Sequence, residues 1–192
     1  SRELELVLTG KNCGLEERAP MCGIPHHAAA AYIPRLVNKG YKVAICEQLE
    51  DPKQAKGIVK RGVVKIITPG TFVDNNSNLE NDNTYLMAIH EDGEIIGIAT
   101  SDISTGEFKT TSFSYSMASL LDEIAKLSPK EILLDENTSE DIINEIKGVC
   151  SALITKKNFN EFLVSKEELI AQFSDLEAGA LENLREITSR VL

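Results

Sequence analysis

The 192-residue sequence lacks the features that mark membrane-spanning and secreted proteins. No apolar run approaches the roughly 20 residues that a membrane-spanning helix needs, and no basic and apolar leader opens the chain. Its four cysteines include no C-x-x-C pair, so without a secretory context they are expected to be reduced thiols. We therefore predict a cytoplasmic protein that has no membrane partner.

The sequence also contains little that would build a catalytic centre. The phosphate-binding pattern G-x-x-x-x-G-K-[ST] is absent, which argues against nucleotide hydrolysis by this chain. Cys22, His26 and His27, in the stretch RAPMCGIPHH, suggest a metal site, but the second pair of ligands that zinc usually has is missing. A Cys–His nucleophile pair here would lack an activating third group. We predict that the chain holds no metal and no cofactor.

Charge is divided unevenly along the chain. Residues 1–77 contain 11 Lys and Arg against 8 Asp and Glu, a net charge of +3, whereas residues 78–192 contain 9 against 22, a net charge of −13. The change coincides with the Asn-, Asp- and Ser-rich stretch at residues 71–83, which has no periodicity. We predict two domains, residues 1–76 and 77–192, of which only the first suits a polyanionic partner.

The run KQAKGIVKRGVVK, residues 53–65, contains cations and no acid. One interpretation is an ordinary solvated face. The other is contact with the phosphates of a nucleic acid, which needs clustered cations but no base chemistry. The acidity of the rest of the chain adds weight to the second. The cations of the run are Lys53, Lys56, Lys60, Arg61 and Lys65.

Periodicity in the first domain predicts a short helix followed by strands. The helix should begin near Ala31 and end at Gly40, because Pro34 is tolerated only in a first turn. The stretches YKVAICEQ and VVKIIT have strand character. Between them, DPKQAKG is typical of a compact helical turn.

The second domain is predicted to begin with three strands in hairpin succession, TYLMAIH, EIIGIATSDIS and GEFKTTSF. A helix, SMASLLDEIAKL, a strand, EILLD, a helix, SEDIINEIKG, and a strand, SALIT, should follow. This order predicts a mixed α/β fold with helices packed on the faces of a mixed sheet. The C-terminal part is predicted to be helical, with capping boxes that begin at Ser165 and Ser174.

The same order is that of the ribonuclease H-like fold, whose nucleases gather carboxylates to hold two metal ions. Asp102 lies on or beside the second strand, and Asp135 ends the fourth. A two-metal site needs three or four carboxylates, and only these two can be named. A metal-dependent nuclease that uses Asp102 and Asp135 is therefore the alternative function, and Asp102 is equally suited to a turn.

Residues 18–74 closely resemble the MutS family of DNA mismatch-repair proteins. The family's P-M-x-G-[IV]-P, the histidine at His27, V-A-[IV]-C-E-Q, D-P, K-G and T-P-G-T occur in order. From about residue 80 the match is looser but still in order, notably in TSDISTGEF. The resemblance implies a fragment: the later part of a truncated α+β mismatch-binding domain, then most of a ribonuclease H-like connector domain, which lacks nuclease activity in this family.

The resemblance also implies a role. MutS proteins are dimeric ATPases that scan duplex DNA, kink it at mismatches and recruit MutL. Their aromatic wedge motif, G-x-F-Y-E, is expected upstream of Ser1, and their ATPase domain, with its ATP and Mg²⁺, is expected downstream. We therefore expect no enzymatic activity in this fragment and no mismatch preference. Its contribution would be DNA-backbone contacts and docking of other domains or proteins, in a cytoplasmic, nucleoid-associated bacterial protein.

By position, the resemblance places Lys11 and Arg61 near DNA phosphates, with Lys53, Lys56 and Lys60 as weaker candidates. Lys11 stands where relatives often have Arg, and His26 where the family usually has an aromatic ring. His27 is expected to be buried near the start of the helix. The acidic second half suits a docking surface for MutL, and a pure protein-interaction module remains an open alternative.

Overall fold

The computed structural model describes residues 1–14, 16–51, 57–73 and 83–159. Its contacts divide the chain into two compact units, Ser1–Asp74 and Asn75–Leu192, which are described separately. None of the described helices combines the length and the apolar composition that a membrane span requires.

The first unit contains two separate antiparallel sheets of two strands each. Short 3-10 turns at Arg2–Leu4 and His26–Ala28 precede the first strand and the helix of this unit respectively. Val37 and Ile67 are the buried large apolar residues that are described in this unit. The other elements are β1 (Thr9–Lys11), β2 (Ala19–Met21), α1 (Ala29–Val37), β3 (Val43–Gln48) and β4 (Arg61–Ile67).

The predicted strands YKVAICEQ and VVKIIT are confirmed as β3 and β4. Much of the predicted helical turn DPKQAKG, at residues 52–56, lies outside the described residues. The predicted C-terminal helices, with their capping boxes at Ser165 and Ser174, also lie outside them.

The prediction that Pro34 lies in the first turn of its helix is wrong. Helix α1 begins at Ala29, directly after the 3-10 turn, so Pro34 is its sixth residue. A proline there removes the hydrogen bond that its own N–H would donate and crowds the carbonyl of Ala30, but its own carbonyl still accepts from Asn38 N at 2.8 Å. Gly40, with φ 82°, completes the turn after the helix.

The second unit is built on a five-stranded mixed sheet with the order β7-β6-β5-β8-β9. The first three strands pair antiparallel, and β8 and β9 run parallel to β5. This arrangement confirms the predicted mixed α/β, ribonuclease H-like order of strands. Its elements are β5 (Tyr85–Glu91), β6 (Ile95–Asp102), β7 (Glu107–Ser114), α2 (Met117–Leu127), β8 (Glu131–Asp135), α3 (Glu140–Val149) and β9 (Leu153–Lys157).

Helices α2 and α3 pack on the same face of this sheet. The chain passes from β7 to β8 and then to β9 in one direction across the sheet, and two right-handed crossovers in one direction place their helices on one side. Each helix begins with a serine cap: the hydroxyl oxygens of Ser116 and Ser139 accept from the N–H groups of Ser119 and Ile142. The shared core consists of Met87, Ile89, Ile96, Ile98, Leu120, Ile124, Ile132, Leu134, Ile143 and Ile146.

Candidate nucleic-acid interface

Lys11 lies at the end of a short hairpin that other side chains hold together. It is the last residue of β1 and pairs with Ala19 of β2. The Thr9 hydroxyl donates to the Met21 carbonyl at 2.9 Å, and Arg18 Nη2 donates to the Gly10 carbonyl at 2.6 Å. Arg18 is therefore engaged in stabilising the hairpin, whereas the side chain of Lys11 is exposed.

Lys60 and Arg61 are held at the base of the loop that joins β3 to β4. Leu49 N donates to the Lys60 carbonyl at 2.9 Å, and Lys60 N donates to Oε1 of Glu50 at 2.6 Å. Arg61 opens β4 opposite Gln48. These hydrogen bonds hold two adjacent, exposed cations at one end of the two-stranded sheet of β3 and β4.

A register shift separates Lys65 from the other cations of the basic run. Lys65 pairs with Ile45, but beyond the shift Cys46 pairs with Val63 and Gln48 with Arg61. Cross-strand partners share a face of the sheet, and successive residues along β3 alternate between its two faces. Ile45 and Gln48 are three residues apart, so their partners Lys65 and Arg61 project from opposite faces of the two-stranded sheet. The run therefore does not form a single basic face along β4.

Two other cations of the first unit, Lys39 and Arg35, lie near acids. Lys39 Nζ lies 3.2 Å from Oε2 of Glu3, and Arg35 lies 3.9 Å from Oε2 of Glu5 and over the ring of Tyr32. In the described part of the chain, no ion pair forms at Lys11, Lys60 or Arg61. The structure thus leaves these three cations available to an anionic partner.

The structure brings together only some of the predicted DNA-contacting residues. Lys60 and Arg61 are adjacent, whereas Lys11 belongs to the other two-stranded sheet. Lys53 and Lys56 lie outside the described residues.

The stretch RAPMCGIPHH lies on the surface of the first unit. Cys22, His26 and His27 are exposed, and no group of three metal-binding side chains occurs in the residues that the structure describes. The expectation that His27 is buried is wrong. The 3-10 turn that opens the helix turns Ala28 partly inward and leaves both histidines exposed.

Asp102 and Asp135, the carboxylates of the alternative nuclease prediction, lie at opposite ends of the sheet. Asp102 ends β6 beside Tyr85, the first residue of β5. Asp135 ends β8 two residues beyond the pairing of Leu133 with Ala88. They are thus about five residues, or about 17 Å, apart along β5, whereas a two-metal site holds ions about 4 Å apart. The alternative prediction, in which Asp102 and Asp135 hold metal ions at one nuclease site, is therefore wrong.

Each of these carboxylates instead stabilises a turn. Oδ1 of Asp102 accepts from Ser104 N at 2.8 Å and from the Ser104 hydroxyl at 2.6 Å. Asp135 accepts from Asn137 N, Asn137 Nδ2 and Phe159 N at 2.8–3.2 Å. Burial would raise the pKa of both carboxyls, but these hydrogen bonds outweigh it and lower the pKa of each.

Sequence reasoning missed a cavity in the second unit. It has a volume of about 270 Å³ and lies at the carboxyl ends of β5 and β8. The order of elements along the chain was predicted, but the side of the sheet on which each strand lies was not. Which strands are neighbours depends on long-range pairing.

Comparison with known proteins accounts for most of the chain. The MutS domain I family matches residues 1–76, and the MutS domain II family matches residues 84–186. The DNA mismatch repair protein MutS of Clostridium beijerinckii is 78% identical over all 192 residues, and that of Clostridium botulinum strain Alaska E43 is 79% identical over the same length. These matches cover 21% and 20% of the relatives, so the chain spans about a fifth of their length. The chain belongs to the MutS family of DNA mismatch-repair proteins.

Proposed function

We propose that the unit Ser1–Asp74 contacts the phosphates of duplex DNA, as one part of a MutS protein that recognises mispaired or unpaired bases. The observation that carries this proposal is the division among the cations. Lys39 and Arg35 lie 3.2 and 3.9 Å from glutamate oxygens, while Lys11, Lys60 and Arg61 are exposed and form no ion pair in the described residues. We propose the same phosphate contacts for Lys53 and Lys56, which precede Lys60 in the sequence.

Contacts of this kind position a protein on DNA but read no sequence. The mismatch wedge expected from the family is not among the residues of this chain, since no phenylalanine precedes Phe72. We therefore propose that the chain binds matched and mismatched duplexes with equal affinity. Its binding should weaken steeply with salt, because each neutralised phosphate releases counterions.

Fluorescence anisotropy with the full chain tests this proposal. Matched and G·T-mismatched duplexes are titrated at about 50 and 200 mM salt. Three phosphate contacts predict a slope of log K against log salt near −2.7, or an affinity about 40-fold lower at the higher salt. Equal affinity for both duplexes with this slope supports the proposal. Clear mismatch discrimination, or affinity that does not change with salt, overturns it.

A second function, docking of MutL, is proposed for the acidic unit. Residues 78–192 have a net charge of −13, which repels DNA but suits a protein partner. Retention of purified MutL by the immobilised full chain, decreasing as salt rises, is the expected result. Retention that is unchanged when exposed acids of this unit are replaced by glutamine would move the docking role elsewhere.

The remaining properties proposed for the full-length protein come from the family. They are ATP and Mg²⁺ binding by a domain that is not in this chain, homodimer formation, and a cytoplasmic, nucleoid-associated location. For the chain itself we propose no enzymatic activity. The absence of DNA-stimulated ATP hydrolysis and of DNA cleavage with Mg²⁺ or Mn²⁺ would support this.

A further inference from the structure

The cavity in the second unit lies where ligand sites of open α/β sheets are usually found. Strands β5 and β8 are parallel neighbours, and the chain continues from β5 to β6 on one side but from β8 to β9 on the other. In such sheets, ligands bind outside the carboxyl ends of the strands at this point of reversal. The cavity opens at that position, and all of its lining residues lie between Ile89 and Phe159.

The floor of the cavity is apolar. Its deepest part consists of side chains from both strand ends and from α2, and these are almost fully buried in the core. Met117 and Ile142, at the starts of α2 and α3, form its walls. Tyr115 lies at the edge and is 42% exposed. The floor residues are Ile89, Ile96, Leu120 and Leu134.

The rim of the cavity is acidic. Glu91 and Asp135 line it, and hydrogen bonds keep the pKa of Asp135 low, so this carboxylate is charged at neutral pH. His90, whose ring lies 5.9 Å from that of Phe159, is the other titratable group of the β5 end. The nearby cation Lys156 is engaged by Glu140 at 2.9 Å.

Size and charge together restrict what the cavity can hold. Sites for drug-sized ligands and cofactors usually have volumes of about 300–1,000 Å³, so about 270 Å³ suits one or two side chains rather than a nucleotide. A phosphate group would also be repelled by the carboxylates of the rim. An apolar side chain would pack on the apolar floor, and positive charges on either side of it would lie beside the acidic rim.

We propose that this cavity binds one large aliphatic or aromatic side chain from a positively charged peptide segment of a partner protein. The apolar side chain occupies the floor above Leu120 and Leu134, and flanking lysines or arginines lie beside Glu91 and Asp135. The proposal deepens the docking role of the acidic unit but does not require MutL to be the partner, and it is independent of the DNA contacts.

Four labelled peptides test the proposal with the full chain by fluorescence anisotropy. The probes KKFKK and KKLKK have both the anchor and the charge, KKSKK lacks the apolar anchor, and EEFEE reverses the charge. We expect at least one of the first two to bind, and each of the other two to bind at least tenfold more weakly. Failure of both anchored basic peptides, or equal binding of KKSKK or EEFEE, overturns the proposal.

Variants assign the binding to the cavity. Thr138→Trp fills its mouth and should weaken the better peptide at least tenfold. Glu91→Lys reverses one rim charge and should weaken it at least threefold, which keeps the test valid if the tryptophan variant does not fold. Glu145→Lys makes the same charge change on α3 outside the cavity, and affinity should stay within twofold of the unmodified chain. Equal affinity for the Glu91→Lys and Glu145→Lys variants contradicts the assignment.

The two docking proposals can fail separately. Peptide binding that depends on Glu91, with no retention of MutL, would uphold the cavity and reject MutL as its partner. Retention of MutL that is unchanged in the Glu91→Lys and Thr138→Trp variants would place MutL docking elsewhere, and the peptide titrations would still decide the cavity.

Discussion

Asp102 and Ser104 are joined by two hydrogen bonds at the turn between β6 and β7. One carboxylate oxygen, Oδ1, accepts both the N–H and the hydroxyl of Ser104, and the Asp102 carbonyl accepts from Gly106 N at 2.9 Å. Asp102 is fully buried. Donors of the turn therefore favour the charged form of Asp102, and the same hydrogen bonds stabilise the turn.

Replacing Asp102 by alanine should destabilise the second unit by about 3 kcal/mol, because two hydrogen bonds to a charged acceptor are lost. Urea unfolding of the full chain, followed by circular dichroism, measures this loss. Asp122→Ala removes an exposed aspartate of α2 and should change stability by less than about 0.5 kcal/mol. Equal effects of the two substitutions would contradict the role assigned to Asp102.

The lowered pKa of Asp102 predicts a specific dependence of stability on pH. A carboxyl whose pKa is lower in the folded state contributes stability that is complete above its unfolded pKa, near 3.9, and is lost as pH falls through the folded pKa. Asp102→Asn should therefore reduce the dependence of the unfolding free energy on pH below about pH 4. Urea titrations between about pH 3 and pH 6 test this. Unchanged pH dependence would contradict the shift.

Glu131 and Thr155 form a buried polar pair across neighbouring strands. The Thr155 hydroxyl donates to Glu131 Oε1 at 2.7 Å, and both residues are buried. Thr155→Val keeps the shape but removes the donor, and should cost about 1–3 kcal/mol, whereas Thr155→Ser should retain most of the stability. Thr111→Val, at an exposed position of β7, is the matched control. Equal losses of thermal stability in the two valine variants would contradict this assignment.

Local patterns were enough to predict most elements of the fold. Apolar runs bounded by turn signals mark β5 and β6, and serines at positions 116 and 139 mark the starts of α2 and α3. The start of α1 was misplaced because the rule for Pro34 weighs one lost hydrogen bond and takes no account of the 3-10 turn that extends the helix toward its N-terminus.

The site was less predictable because it depends on contacts between distant residues. The basic run identified Lys60 and Arg61, and the family resemblance added Lys11. The register shift that turns Lys65 to the other face, however, is a property of the pairing with β3. The separation of Asp102 from Asp135 likewise follows from the parallel pairing of β5 with β8, which no local pattern specifies.

The free cations of the first unit predict a graded loss of DNA affinity. Lys11→Gln and Arg61→Gln should each weaken duplex binding equally for all sequences and reduce the slope of log K against log salt by about 1, because each removes one phosphate contact. Lys126→Gln removes a cation that pairs with Glu123 on α2 and should leave both affinity and slope unchanged. Salt titrations of the three variants by anisotropy measure these effects. An unchanged slope for Arg61→Gln, or an equal change for Lys126→Gln, would show that net charge rather than these side chains drives the binding.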